Sequence, residues 1–329
     1  MDDTLRSRSR REICLAAAAT VGMAAWRPAF AASKPVLAAT GIDAYFSTFP
    51  VSASKDFMKK RNIDFSFRSF DDGATALDAL LTNQAQVGSS SGVTGMVRWD
   101  RGGKLYCVGT LSSSGSLYGA TVSERIKKPE DLYGKTVSFP PRSSAQYFYE
   151  AFLKTYKLDG SKITTKGIPT PESVVALERG DIDAFFLWEP WNTRAASLVK
   201  GARTLVVSRD VGLDFVMYLY FSDGLIKDKA LAEDTMAGLV EATDWISKNT
   251  DETATIINKG FRLPEADAKR GLGQLSFNVS MNKAPVMKDF EDLAEFSKRN
   301  TLIKKSPEWS EFMRPDILKA VAPSRVTGW

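Results

Sequence analysis

Ala79-Leu80-Leu81-Thr82-Asn83-Gln84-Ala85-Gln86-Val87-Gly88 recurs in outline 97 positions later, as Ala176-Leu177-Glu178-Arg179-Gly180-Asp181-Ile182-Asp183-Ala184-Phe185. Each copy has the pattern of a helix end, a short polar turn and an apolar strand. The first copy leads into Ser89-Ser90-Ser91-Gly92, and the second leads into Leu187-Trp188-Glu189-Pro190-Trp191. Ligands of open α/β sheets bind beyond the carboxyl ends of strands, so the repeat predicts two α/β lobes that face one cleft.

Strands and helices alternate outside the repeat as well. The sequence predicts a strand over 36–39, a helix over 52–61 and a strand over 64–70, while 161–168 is expected to be a connection. From residue 229 onward the pattern changes to long amphipathic helices, predicted over 230–248, 251–258, 265–272 and 286–300. This order predicts mixed α/β lobes followed by a helical C-terminal wrap.

The N-terminal residues 1–31 have the features of a signal peptide. Ser9-Arg10-Arg11-Glu12-Ile13 fits the twin-arginine export pattern, and an alanine-rich apolar stretch leads to Ala29-Phe30-Ala31, a small-x-small cleavage site. An ordinary secretory signal with chance paired arginines is the alternative. The stretch is shorter than the ~20 apolar residues that cross a bilayer. We therefore expect a periplasmic protein whose leader is cleaved near Ala31.

Composition excludes several classes of function. Of the 329 residues none is histidine, the commonest general base and metal ligand, so we expect neither an enzyme nor a metal or cofactor site. Five arginines and three acidic residues leave with the leader, and the net charge of +5 falls to about +3, too little for a nucleic-acid partner. Cys107 is then the single cysteine and is expected to be buried. Asp181 and Asp183 are expected to be solvated turn residues.

Two hydroxyl-rich segments are candidate anion sites. Ser143-Ser144-Ala145-Gln146 follows a strand and opens a helix, where free N–H groups and the helix dipole attract an anion, and Arg142 adds donors. Ser89-Ser90-Ser91-Gly92-Val93-Thr94 has the same arrangement in the other half of the chain. Simple helix capping is the alternative in both places. The G-x-S-x-G spacing of Gly88 to Gly92 does not indicate a hydrolase, because the required histidine is missing.

Aromatic side chains accompany the second repeat. Trp188 or Trp191 could stack on a ligand while Glu189 meets a cationic group. In the alternative interpretation Glu189 favours the positive end of a helix, and both tryptophans are core between the lobes. Asp214 belongs to a weaker cluster of the same kind with Phe215 and Tyr218, and the Tyr45-Phe46-Ser47-Thr48 loop could close the pocket from the other side.

In this order, these landmarks resemble the solute-binding proteins of ABC importers, in the branch that handles aliphatic sulfonates, taurine, nitrate and thiamine-pyrimidine precursors. The resemblance rests on Asp72-Gly73 through Val87-Gly88, Glu130 through Val137, Ser143 to Gln146, and Ala176-Leu177 through Trp191. It implies a two-lobed type II periplasmic-binding-protein fold. The implied lobes are 34–118 plus 222–329, and 119–221.

The resemblance also implies a function. The chain would capture a small organic anion or zwitterion by hinge closure and deliver it, as a monomer, to a membrane permease and its ATPase. A non-transport ligand sensor, a pyrimidine-precursor-related protein and a structural protein without a ligand are the alternatives. The predicted ligand-binding residues are Phe46, Ser47, Ser89, Ser90, Ser91, Gly92, Thr94, Arg142, Ser143, Ser144, Ala145, Gln146, Trp188, Glu189, Trp191 and Asp214.

Overall fold

Two β-sheets organise the part of the chain that the structure describes. The computed structural model describes residues 33–329, so the predicted leader, residues 1–31, lies outside the described residues. Residues 33–329 form one compact unit. Within this range no helix combines the length and apolarity that a membrane crossing would need.

The first sheet has six strands in the order β11-β4-β10-β3-β1-β2. Strands β1, β2 and β3 run parallel to one another, whereas β10 is antiparallel to both β3 and β4. Parallel neighbours need crossover helices, which the amphipathic segments between these strands provide. The strands are β1 (Lys34–Thr40), β2 (Ile63–Ser69), β3 (Val87–Ser91), β4 (Leu105–Ser114), β10 (Phe215–Ser222) and β11 (Ser276–Phe277).

The second sheet repeats this plan with five strands in the order β7-β6-β8-β5-β9. Strands β6, β7 and β8 are parallel, and β5 is antiparallel to β8 and β9. The strands are β5 (Tyr118–Val122), β6 (Thr136–Ser138), β7 (Thr164–Lys166), β8 (Ala184–Trp188) and β9 (Arg203–Val207). A separate parallel pair joins β12 (Met281–Asn282) to β13 (Val326–Thr327).

Helices cover both sheets and form the predicted C-terminal wrap. The early helices are α1 (Thr48–Ser54), α2 (Gly73–Leu81), α3 (Gly92–Asp100), α4 (Ser144–Thr155), α5 (Thr170–Arg179) and α6 (Trp191–Leu198). The wrap contains α7 (Asp223–Lys227), α8 (Lys229–Ile246), α9 (Thr250–Phe261), α10 (Glu265–Leu272), α11 (Lys283–Arg299), α12 (Trp309–Phe312) and α13 (Pro315–Val321).

The chain passes between the two sheets twice, after β4 and after β9. The first passage leads to Tyr118 and the second to Phe215. Their rings stack with centroids 3.9 Å apart and planes 22° apart, so the two passages are joined by one buried aromatic contact. Strand β10 pairs with the first sheet, although residues up to 221 were assigned to the second lobe from the sequence. The division into lobes stays a prediction.

Three local predictions differ from the structure. The helix predicted over 52–61 is α1, which begins at Thr48 and ends at Ser54, followed by one turn of 3₁₀ helix at Lys59–Arg61. Pro50 falls in the first turn of α1, where a missing N–H breaks no intrahelical hydrogen bond. The connection predicted over 161–168 contains β7, a fully exposed polar edge strand without an apolar pattern. The loop predicted at Ser89–Ser91 is instead the end of β3.

The core of the second sheet depends on a cluster of aromatic rings. Phe186 on β8 is completely buried, and its ring lies 4.9–5.5 Å from those of Phe148, Tyr149 and Phe152 on α4. These contacts fix α4 against the sheet. The position of the α4 N-terminus therefore depends on this packing.

We predict that Phe186→Ala lowers the free energy of unfolding by about 3–5 kcal/mol, because the truncation leaves a cavity among the three remaining rings. Urea unfolding followed by circular dichroism measures the change. Leu198→Ala is the matched control, since Leu198 is 68% exposed and its truncation should change stability by less than about 0.5 kcal/mol. Equal effects of the two substitutions would contradict the prediction.

Candidate functional site

A cleft of about 590 Å³ lies where the parallel strands of both sheets end. The residues that follow β1, β2 and β3 line it from the first sheet, and those that follow β6, β7 and β8 line it from the second. The carboxyl ends of these six strands therefore meet at one cleft. The segments concerned are 41–46, 71–75, 90–94, 140–144, 169–172 and 188–194.

Within residues 33–329, five helix N-termini open onto this cleft, those of α2 and α3 from the first sheet and those of α4, α5 and α6 from the second. Helix α3 is capped by Ser91, whose Oγ accepts from the Thr94 N–H at 3.5 Å. Helix α4 is capped by Ser143, whose Oγ accepts from the Ala145 N–H at 3.2 Å. Both serines therefore act as caps, the alternative role considered from the sequence, and both also line the cleft.

The neighbouring serines differ from one another in environment. Ser90 lines the cleft, and its hydroxyl makes no hydrogen bond with any residue in 33–329. Ser144 lines the cleft and forms a hydrogen bond with Tyr118. Ser89 is completely buried and its hydroxyl has no partner within the described chain. Ser90 therefore offers a free hydroxyl to a ligand in the cleft.

Arginine side chains give the cleft wall positive charge. Arg142, Arg194 and Arg262 line the cleft, are exposed, and form no salt bridge within residues 33–329. Arg194 lies over the Trp191 ring, 4.9 Å from its centroid. Arg98 also lines the cleft but is paired with Asp78 at 3.0 Å. The wall also carries four acidic residues, Asp43, Asp71, Asp72 and Glu172, so its charges are mixed, and the three unpaired guanidinium groups can donate hydrogen bonds to an anion.

Aromatic rings supply the apolar part of the wall. Phe46, Trp188 and Trp191, predicted as ligand-binding residues, all line the cleft. Trp188 packs against Tyr118 with ring centroids 5.7 Å apart. This contact is structural, as expected from the alternative in which the tryptophans belong to the core between the lobes. Flat apolar surfaces beside charged donors suit an organic anion better than a bare inorganic ion.

Asp43 is a buried carboxyl group that sequence reasoning missed. It is 6% exposed, and one carboxyl oxygen accepts from the Tyr45 N–H at 2.7 Å. Burial raises its pKa to about 8, and the hydrogen bond from Tyr45 opposes that rise. Asp43 lines both the cleft and a neighbouring chamber of about 20 Å³, which has room for one water molecule.

Glu189 lies on that chamber and not on the cleft wall. Its Oε2 accepts from the Thr193 N–H at 3.1 Å in the first turn of α6, which is the helix-capping alternative. Burial raises the pKa of Glu189, while the hydrogen bonds with Thr193 and the charge of Arg270 oppose the rise. Its contact with a ligand stays a prediction.

Gln146 joins the two halves of the molecule beside the cleft. Its Nε2 donates to Asn300 Oδ1 at 2.8 Å, and Asn300 Nδ2 donates to Glu150 Oε1 at 2.8 Å. Arg299 pairs with Glu150 at 2.8 Å. This cluster ties α4 to the end of α11. On another face of the molecule, Arg270 of α10 donates to Thr193 Oγ1 of α6 at 2.9 Å. The structure therefore has polar side-chain contacts between elements that are far apart in the chain.

The other predicted residues lie in several places. Thr94 lines the cleft. Ser47 is buried and donates to the Ala44 carbonyl at 2.7 Å, whereas Ala145 is buried in α4. Gly92 and Asp214 line a second chamber of about 20 Å³ next to Ser91 and Ser144. Burial raises the pKa of Asp214, and a hydrogen bond with Ser113 opposes the rise.

The missed lining residues come from strand ends, from the start of an antiparallel strand and from a helix end. Pro169 to Glu172 follow β7, which has no apolar pattern, and Tyr118 begins an antiparallel strand. Arg262 comes from the end of α9 in the wrap. Asp43 follows β1, and its place after a strand was the signal that could have found it.

Comparison with known proteins gives a consistent result. Residues 43–253 match the family model described as NMT1/THI5 like, which spans more than half of the chain. The taurine-binding periplasmic protein of Escherichia coli K12 is 28% identical over 160 residues, 49% of each chain. The matched stretch thus spans about half the length of that relative.

Solved structures share the fold at lower identity. The periplasmic aliphatic sulphonate binding protein SsuA from Escherichia coli has a TM-score of 0.73 and 20% identity, over 85% of this chain and 92% of that one. The desulfurization enzyme DSZB has a TM-score of 0.65 and 14% identity, over 88% and 99%. With two sheets whose strand ends meet at one cleft, this chain has the periplasmic-binding-protein fold and belongs to the NMT1/THI5-like family.

Proposed function

We propose that this protein is the extracytoplasmic substrate-binding component of an ABC importer and captures a small organic anion or zwitterion of the sulfonate or taurine type. It would be exported by the twin-arginine route, lose its leader near Ala31, and act as a monomer with a permease and an ATPase. It would not be an enzyme. The observation that carries the proposal is the convergence on one cleft of six strand ends and several helix N-termini, among them those of α3 and α4.

The polar groups of the cleft support an anionic ligand. The N-termini of α3 and α4 contribute partial positive charge, and the Ser90 hydroxyl and three unpaired arginines contribute donors. Hydrogen bonds to a charged group are worth about 1.5–3 kcal/mol each. Three or four of them, less the cost of closure, give about 8 kcal/mol, which corresponds to micromolar affinity.

The contacts between the halves of the molecule support capture by closure. Gln146 and Glu150 on α4 meet Arg299 and Asn300 across the cleft margin. A ligand that touches both walls would favour the state in which these contacts exist.

Calorimetric titration tests the proposal with ligand-stripped mature protein. We expect one compound among alkanesulfonates, 2-aminoethanesulfonate, nitrate, aromatic carboxylates and aminopyrimidines to bind with about micromolar affinity. Absence of binding by every compound would overturn the proposed function. Turnover of a bound compound would favour an enzyme, and binding without any effect on transport would favour a sensor.

We predict that Gly73→Ala raises the Kd for the ligand about tenfold. This is the effect expected from the loss of one hydrogen bond to a charged group. A Cβ at Gly73 would lie 2.4 Å from Ser90 Oγ, so the hydroxyl must rotate. The same calorimetric titration measures the change in Kd.

Gly224→Ala is the matched control, because it is also a glycine in the first turn of a helix and its Cβ would meet no atom within 4 Å. We expect parental affinity for this variant. Unchanged affinity in the Gly73 variant would remove Ser90 from the binding site.

A further inference from the structure

Asp43 is a desolvated carboxyl group without a counter-cation. It forms no salt bridge within residues 33–329, and one of its oxygens has the Tyr45 N–H as its hydrogen-bond donor. Arg270 lines the adjoining chamber but is paired with Asp267 at 3.3 Å and donates to Thr193. A buried carboxylate is costly unless a donor or cation compensates it. Asp43 borders both this chamber and the cleft.

Tyr118 places this carboxyl close to the anion-favouring helix terminus. The Tyr118 hydroxyl is hydrogen-bonded with Ser144, the first residue of α4. Burial raises the pKa of Tyr118, and the nearby negative charge of Asp43 adds to the rise. Asp43 and the α4 N-terminus therefore border the same tyrosine. Asp43, Ser90 and Ser144 also line the same cleft.

We propose that Asp43 binds a cationic nitrogen of the ligand and thereby selects short zwitterions over anions that carry no amino group. The proposal rests on the proposed function, since the acidic end of the ligand would occupy the Ser90 and Ser144 end of the cleft. The ammonium group donates to the free oxygen of Asp43 and supplies the missing positive charge.

Asp43 also has a structural role from which the proposal must be separated. It is the N-cap of the 3₁₀ helix Ala44–Phe46. Asparagine and serine are equally good N-cap residues, so Asp43→Asn and Asp43→Ser keep the cap and remove only the charge. Asp159→Asn is the matched control, because Asp159 caps the 3₁₀ helix Gly160–Lys162 and lies outside the cleft lining.

The test compares 2-aminoethanesulfonate with 1-propanesulfonate, which has a methyl group in place of the ammonium, by calorimetry on the mature protein. We expect the parent to prefer the amino compound. Asp43→Asn and Asp43→Ser should raise the Kd for the amino compound by about 10- to 100-fold and leave the Kd for the propyl compound unchanged. Asp159→Asn should leave both Kd values at the parental level.

The outcomes separate the two proposals. If the parent binds both compounds without preference, or if the Asp43 variants change both Kd values by the same factor, the assignment of Asp43 fails and the binding function stands. If the parent binds neither compound, the proposed sulfonate function fails and the Asp43 proposal fails with it.

A pH series gives a readout that a purely structural cap would not change. The charged and titratable groups around Asp43 are Glu189, Asp267 and Arg270 in the chamber, Tyr45 and Tyr118 beside it, and Asp71, Asp72, Arg98, Arg142, Glu172, Arg194 and Arg262 in the cleft wall. Because Asp43 titrates near pH 8, parental affinity for the amino compound should rise from pH 6 to pH 8. Affinity of the Asn variant for that compound should stay flat.

Thermal unfolding without ligand checks the buried charge itself. The folded protein holds the Asp43 proton up to about pH 8, whereas the unfolded chain loses it near pH 4, so this carboxyl contributes stability that is lost as the pH rises to 8. The amide side chain in Asp43→Asn does not ionise, so the variant does not lose stability in this way as the pH rises. Its Tm should therefore exceed the parental Tm by a margin that grows from pH 4 to pH 8, and a constant margin would contradict the burial of an ionisable group.

Discussion

The stacked pair of Tyr118 and Phe215 is the contact on which the geometry of the cleft depends. Each residue begins the strand that follows a passage of the chain between the sheets, and their rings lie 3.9 Å apart. Tyr118 also packs against Trp188 and is hydrogen-bonded with Ser144. One ring therefore links the junction of the sheets to the wall that the second sheet contributes, so a change in the angle between the sheets would also move groups that line the cleft.

The charged residues of the cleft differ in how far they are exposed to solvent and therefore in how strongly their charges are screened. Arg142, Arg194 and Arg262 are exposed, and their long-range attraction for an anion is screened by salt. Asp43 is buried in a medium of lower polarity, where its charge is screened less and an unpaired carboxylate is costly. In the proposed function, the arginines attract the anionic group of the ligand towards the cleft. Asp43 selects ligands that also carry an amino group.

Local sequence patterns predicted the fold well where one element decides its own structure. Helix α10 has the predicted bounds, and α4 starts at its predicted cap, because capping and amphipathic periodicity are local properties. About half of the predicted ligand-binding residues line the cleft, among them Ser90, Ser144 and Trp188. The others lie off the cleft wall for different reasons: Glu189 meets the nearby Thr193 N–H, whereas Gln146 meets Asn300, 154 positions away.

The sequence by itself determined the α/β class, the two related halves and the placement of polar residues after apolar strands, since these follow from periodicity and turn chemistry. The tertiary structure alone decided which of these residues share a cleft. Parallel strands bring segments far apart in the chain to one sheet edge, and burial then changes the chemistry of what it encloses. Asp43 is an ordinary loop aspartate in the sequence and becomes a carboxyl with a pKa of about 8 only when both sheets surround it.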